Sequence, residues 1–426
     1  MPRKQIAAIA TASLAALTAC SSSGGTSSAS GSLVRADAAR PIVGRADAGA
    51  ASAAVNSFGV DVFHSVADQD EGDVVISPAS LATVLTMLLP GAKGQTADQM
   101  AKALHTTMPA DQFANALGSL DSATVQRGLA DKADLQQFDT VWAQKGYGIQ
   151  QPYLRTLASA FDAGVHETDF TNPENARQTI NKTVADQTNG LIKELFGPGS
   201  MSADTRLVLT DALYLKATWA TPFEKYRTSD KTFHLADGTT ANVSTMGSGQ
   251  DFAYAQGNGW QYAELPYQQD HLAMGIVLPA AGTFDKFRTA LTADQITAMT
   301  SSATSVPVDL ELPKFTFDTS RQLNGALQSL GMKSLFDPSS ADLSAIPAKP
   351  GPLWVGAVVQ KAHVAVDEDG TTAAAASGVT VIAGAAPGQP QQQAAEMHVD
   401  RPFLFLIRDT VTGQILFLGQ VSDPRG

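Results

Sequence analysis

Apolar residues first recur at helical spacing at Val55, Phe58, Val62, Phe63 and Val66, which fall along one side of a helix. A second helix is predicted after Ser80, with Leu81, Val84, Leu85, Leu88 and Leu89 on its apolar side and a stop near Gly91. Thr96-Ala97-Asp98-Gln99 has the capping-box pattern and predicts a third helix through Met100 and Leu104. The second half of the chain changes period. Residues 207–209, 274–278, 308–312, 363–366 and 403–408 are short apolar or alternating runs that read as strands, while 323–330 keeps a helical pattern. Helices early, strands late and pairing between distant segments predict an α+β fold with substantial antiparallel sheet.

Composition narrows the class. The chain has 426 residues, 44% of them hydrophobic and only 16% charged, enough for a large core. Its net charge is −12, which repels phosphate backbones and argues against nucleic-acid binding. Cys20 is the only cysteine. It follows a basic start, Arg3-Lys4, and an uncharged stretch from Ile6 to Leu17, 12 residues long and too short to span a bilayer as a helix. Leu17-Thr18-Ala19-Cys20 looks like a bacterial lipobox, in which the cysteine is lipidated and becomes the first residue of the mature protein. The expected organisation is a lipoprotein signal peptide over 1–19, a flexible Ser/Gly/Ala tether over 20–49 and one domain over 50–426. The expected location is extracytoplasmic and membrane-anchored, at the cell surface or in the periplasm. With Cys20 lipidated, no thiol remains for a disulfide or for cysteine catalysis.

Enzymatic motifs are missing. There is no Gly-x-Ser-x-Gly elbow, and no serine lies three residues before a lysine. His64, His105, His166, His234, His271, His363 and His398 are scattered, and no pair has zinc-site spacing. Gly91-Ala92-Lys93-Gly94 follows a helix rather than a strand, against a phosphate-binding loop. Asp367 and Glu368 sit near a turn and read as solvated carboxylates. The expectation is a protein that is not an enzyme and has no metal or cofactor.

Five blocks carry a family resemblance. They are Ile76-Ser77-Pro78-Ala79-Ser80 with Gly91-Ala92-Lys93-Gly94-Gln95-Thr96; Asp169-Phe170 with Ile180-Asn181 and Gln187-Thr188-Asn189-Gly190-Leu191-Ile192; Asp211-Ala212-Leu213-Tyr214-Leu215-Lys216-Ala217-Thr218-Trp219 with Pro222-Phe223; Leu312-Pro313-Lys314-Phe315 with Leu330-Gly331-Met332, Leu335-Phe336 and Ala341-Asp342-Leu343-Ser344; and Gln360-Lys361-Ala362, Asp367-Glu368-Asp369-Gly370-Thr371, Asp400-Arg401-Pro402-Phe403 and Thr412-Gly413-Gln414-Ile415-Leu416-Phe417-Leu418-Gly419. In order and spacing they resemble the serpins. The resemblance implies three β-sheets with eight or nine helices and an exposed reactive-centre loop. It also implies inhibition by suicide-substrate trapping: a protease cuts the loop, stays bound as an acyl-enzyme, and is carried across the molecule as the loop enters the main sheet as a new strand.

Aligned on Gly370, the hinge comprises Glu368, Gly370, Thr371, Thr372, Ala373, Ala374, Ala375 and Ala376. Small side chains ease passage between packed strands. By alternation, Thr371, Ala373, Ala375, Ser377, Val379 and Val381 face the core and Thr372 faces solvent. Family spacing puts the cleaved bond near Gly384-Ala385. The residues around it are small or apolar, which points to elastase-like or subtilisin-like serine proteases, with a cysteine protease as an open alternative. Pro387-Gly388-Gln389-Pro390-Gln391-Gln392-Gln393 is a longer tail than the family explains. Ser77, Ser80, Asp211 and Gln360 match the polar cluster beneath the opening of the main sheet. Asp211 stands where the family usually has Asn, and Gln360 where many members have His. Trp219 matches the tryptophan where the loop enters the sheet. The expected state is a monomer. The runner-up reading is a non-inhibitory serpin acting as a carrier or surface-binding protein.

Overall fold

The computed structural model describes residues 31–69, 72–188, 190, 192–349, 351–371 and 393–425. Among them are nine α-helices: α1 (Arg45–Ala67), α2 (Pro78–Leu88), α3 (Gly94–Ala103), α4 (Ala110–Ala130), α5 (Gln151–Phe161), α6 (Pro173–Gln187), α7 (Phe284–Ala290), α8 (Ala293–Ser302) and α9 (Asn324–Ser329). The strands are β1 (Ser32–Val34), β2 (Val74–Ile76), β3 (Asp134–Gln144), β4 (Val165–Thr168), β5 (Leu207–Thr218), β6 (Ser229–His234), β7 (Thr240–Gly257), β8 (Trp260–Pro266), β9 (Leu272–Pro279), β10 (Thr304–Pro313), β11 (Phe315–Gln322), β12 (Val355–Val366), β13 (Gly370–Thr371), β14 (Ala395–His398), β15 (Phe403–Asp409) and β16 (Ile415–Val421).

These strands form two hydrogen-bonded sheets. Sheet A runs β1-β4-β3-β5-β13-β12-β11, and the second sheet runs β14-β10-β7-β8-β9-β15-β16-β2 with β6 on β7. The second and third sheets expected from the family are continuous here through β7, an 18-residue strand. Its start pairs with β6, its middle with β10 and its end with β8.

Between the sheets lies α2. Its sequence, Pro-Ala-Ser-Leu-Ala-Thr-Val-Leu-Thr-Met-Leu, has no charged residue, and all of its residues are buried. A helix apolar on every side must be covered on every side. It packs on β3 and β5 of sheet A, on β16 behind, and on α1 and α4. Each fully buried Leu or Met contributes about 1.5–3 kcal/mol. The start of this helix is fixed by Pro78 in its first turn and by Ser77 as N-cap, whose hydroxyl accepts from the Ser80 N–H.

Three expectations change on contact with tertiary structure. The capping box at Thr96-Ala97-Asp98-Gln99 does not form. Helix α3 begins earlier, at Gly94, because the Thr96 hydroxyl accepts instead from the Asp342 N–H and Gln99 Oε1 from Ser334. The tether expected over 20–49 overlaps two elements: β1 lies along the sheet edge at β4, and α1 starts at Arg45. Glu368, expected to be solvated, is only 7% exposed.

Helices α4 and α5 touch where Gly118 leaves no side chain. A Cβ there would meet the Ala160 carbonyl oxygen at 2.0 Å. Replacing Gly118 by Val should push the helices apart and cost about 1–3 kcal/mol, read as a lower urea midpoint with an unchanged slope.

Candidate functional site

Sheet A is incomplete at one end. Strands β5 and β12 run parallel and pair directly from Val355/Leu207 to His363/Tyr214. Beyond that point they separate, and β13 occupies the wedge. It is antiparallel to both neighbours, with Thr371 opposite Ala217 on one side and Val366 on the other. The chain reverses there in a tight turn. The Asp367 N–H donates to the Gly370 carbonyl at 3.0 Å, and Asp367 Oδ1 accepts from the Asp369 and Gly370 N–H groups. Gly370 has φ +154°, and a Cβ would lie 2.1 Å from the Ala217 carbonyl oxygen, so glycine alone fits between the strands.

Several side chains hold this turn. Trp219 Nε1 donates to the Asp367 carbonyl at 2.9 Å, and its backbone N–H donates to the Asp369 carbonyl at 3.1 Å. The indole stacks on Tyr267, with ring centroids 4.7 Å apart. Tyr267 in turn meets the buried Thr371 hydroxyl at 2.5 Å. Burial pushes the Tyr267 phenol up, so it stays protonated. Glu368 is bound by Lys314 Nζ at 2.9 Å and by the Thr228 hydroxyl at 2.9 Å. Burial alone would raise the Glu368 carboxyl; these donors outweigh it and hold it below its usual value. Outside, Lys225 pairs with Asp369 at 3.2 Å.

Six residues further down the seam lies a second cluster. The Ser77 N–H donates to Gln360 Oε1 at 2.9 Å, and Gln360 Nε2 returns a bond to the Ser77 carbonyl at 2.9 Å. The same Nε2 donates across the seam to Asp211 Oδ2 at 2.7 Å. Ser80 Oγ contacts both Asp211 and Asp139, the latter at 2.7 Å. The first turn of α2 thus binds β12 through Ser77 and binds β3 and β5 through Ser80.

The residues singled out from sequence therefore fall into two groups on one seam. Trp219, Glu368, Gly370 and Thr371 meet at its open end; Ser77, Ser80, Asp211 and Gln360 meet beneath its closed part. Thr371 is fully buried, as its place in the alternation requires. Thr372, Ala373, Ala374, Ala375, Ala376, Gly384, Ala385 and Cys20 lie outside the described residues. Sequence reasoning missed Tyr267, Thr228, Lys314 as an ion-pair partner, and Asp139. For Asp139 the signal was weak: it shares strand parity with the apolar Leu135, Val141 and Ala143, but Gln137 stands in the same row.

A family model described as Serpin (serine protease inhibitor) matches residues 53–424. The chain belongs to the serpin family. An uncharacterized serpin-like protein of Thermococcus kodakarensis is 35% identical over 379 residues, covering 87% of this chain and 85% of its own length. The leukocyte elastase inhibitor of Xenopus laevis is 32% identical, covering 88% of this chain and 99% of its own. Among solved structures, native protease nexin-1 with heparin superimposes with a TM-score of 0.79 at 28% identity, over 88% of this chain and all of that one. Serpins are typically protease inhibitors rather than enzymes, and this serpin is not an enzyme.

The ion-paired turn gives the open end of the seam an acid limit. The contribution of Glu368 is complete above the ordinary glutamate value of 4.5 and is lost as pH falls below it. Glu368→Gln should remove that dependence, measured as the rate of native-state loss between about pH 6 and pH 3. Tyr267→Phe leaves the buried Thr371 hydroxyl without its partner and should cost about 1–3 kcal/mol by chemical denaturation.

Proposed function

We propose that this serpin traps serine proteases of the elastase-like or subtilisin-like class as a suicide substrate, with cleavage near Gly384-Ala385 and entry of residues 371–382 into sheet A. The observation that carries the proposal is β13. A strand antiparallel to both β5 and β12 has already begun, with glycine at its tightest point and the partner strands parted around it.

The register gives the path. Thr371 stands opposite Ala217 and Val366. Six residues on, Ser377 would come between Asp211 and Gln360. Insertion would replace the Gln360–Asp211 hydrogen bond with a hydroxyl that can pair with either. Ala373 and Ala375 would pass inward beside Leu215 and Leu213 with little bulk to displace. Inserting about 15 residues forms on the order of 15 backbone hydrogen bonds at roughly 0.5–1.5 kcal/mol each, a sum of order 10 kcal/mol. That makes trapping effectively irreversible, so a kinetic barrier holds the native state. Around the bond, Ile382-Ala383-Gly384-Ala385-Ala386 offers small, apolar residues to a shallow specificity pocket and nothing to a pocket for Arg or Lys.

The same proposal includes a lipid anchor at Cys20, after removal of a signal peptide, that holds the inhibitor outside the cytoplasm on a bacterial membrane. Its support is the sole cysteine at the end of Leu17-Thr18-Ala19.

Incubation with a neutrophil-type elastase or with subtilisin should give an SDS-stable complex, and mass spectrometry of the released peptide should place the cut within one or two residues of Gly384. Simple cleavage with no gain in thermal stability would sink the inhibitor reading. Thr371→Arg forces a charge into a fully buried position and should turn inhibitor into substrate, abolishing the complex while cleavage continues. Cells fed labelled palmitate should label the wild-type protein and not Cys20→Ala.

A further inference from the structure

Ser80 has a single hydroxyl hydrogen, and two carboxylates stand within bonding distance of its oxygen. Asp139 Oδ1 lies 2.7 Å away, and Asp211 Oδ1 is in closer contact still. The two aspartates face each other directly on the antiparallel strands β3 and β5. One hydroxyl cannot donate to both. If both carboxylates were ionised, one would face the hydroxyl lone pairs, and like charges would oppose each other across the strands. The contact closes only when one carboxyl carries a proton and donates it to Ser80 Oγ, while Ser80 donates to the other.

We propose that Asp139, Ser80 and Asp211 share one proton that pins β3 and β5 to the first turn of α2, and that its loss on alkalinisation is a built-in trigger for opening sheet A. Any strand entering between β5 and β12 must move β5, with β3 and β4 behind it, relative to α2. The Ser80 contacts are the polar bonds that resist this movement on the β5 side. With the proton gone, α2 keeps one of the two bonds and is repelled at the other.

The surroundings favour a shared proton. Desolvation raises Asp139, and the neighbouring Asp211 raises it further. Burial raises Asp211 to about 7, against the Ser80 and Gln360 donors that lower it. From α4, Asp121 adds a third carboxyl, raised by burial to about 6. Arg40, before α1, is the cation acting on Asp121. From β3 and β12 the facing groups are the neutral amides of Gln137 and Gln360, and α2 contributes only hydroxyls. A cavity of about 280 Å³ bordered by Arg40, Asp121, Gln137 and Asp139 reaches one member of the pair.

The sign follows from linkage. The folded protein holds a proton that the unfolded chain releases near 3.8, so the native state weakens as pH rises from there to the folded value and is constant beyond it. The test follows the rate of native-state loss of the uncleaved protein at one elevated temperature, by native gel, between about pH 5 and pH 9. The rate should rise by up to about tenfold per pH unit and then level off. In Asp139→Asn, and separately in Asp211→Asn, the surviving carboxyl loses the carboxylate that faces it across the strands, and the interval should move down by about one pH unit or vanish. Asp121→Asn removes a weaker neighbour of Asp139 and should move it less than either pair variant. A flat wild-type profile, an unshifted midpoint in either pair variant, or a shift confined to Asp121→Asn overturns the proposal. Should the pair variants not fold, infrared spectra of Asp121→Asn decide. The carbonyl band of a protonated carboxylic acid should be present near neutral pH and disappear above it, and its absence near neutral pH overturns the proposal. No protease enters these measurements, so their outcome is independent of the trapping reading.

Discussion

The hydrogen bonds at the first turn of α2 hold together a sheet whose two halves are joined directly along only part of their length. On one side stand β1, β4, β3 and β5; on the other, β12 and β11. Ser77 reaches the second group through Gln360, and Ser80 reaches the first through Asp139 and Asp211. A helix wrapped in apolar contacts has no other polar means of gripping a sheet. The Ser77 N–H and the Ser77 and Ser80 hydroxyls are concentrated at the place where the sheet needs holding.

The seam is thus held at two levels by different chemistry. At the open end, a turn is fixed by Trp219, by an ion pair between Lys314 and Glu368, and by the absence of a side chain at Gly370. Lower down, neutral amides and hydroxyls surround carboxyls that burial drives towards the protonated form. Ion pairs need carboxylates charged and fail in acid; a proton-bridged pair fails in base. Under the trapping proposal the native state is held by a kinetic barrier, and the two levels together would set its pH interval from both sides.

Much of this was legible in the chain. The apolar periodicity placed α1 and α2, and the late apolar runs placed β5, β9, β10, β12 and β15. The motif blocks brought forward Ser77, Ser80, Asp211, Gln360 and Trp219, and the structure gathers them on one seam. What stayed hidden depended on partners distant in sequence. Thr-Ala-Asp-Gln occurs twice, at 96–99 and 292–295. At Thr292 it forms a true capping box with Gln295, because both side chains are free to turn back on their own helix. At Thr96 the Asp342 N–H and Ser334 claim the same groups first. Local pattern states what a segment offers, and tertiary neighbours decide what is accepted. Asp139 escaped for a related reason: its partner across the strands and the helix hydroxyl between them come from three separate segments.

The short strand β1 was expected to be slack chain, and its place has a consequence for how copies of the molecule meet. Sheet A ends at β4, four residues long, and β1 lies antiparallel along it from Ser32 to Val34. Strand edges with unpaired backbone groups are templates for another chain. Here β1 of the same chain pairs with those groups on β4 and becomes the outer strand itself, with three residues in place of four. The edge that sheet A offers to another chain is shortened rather than closed.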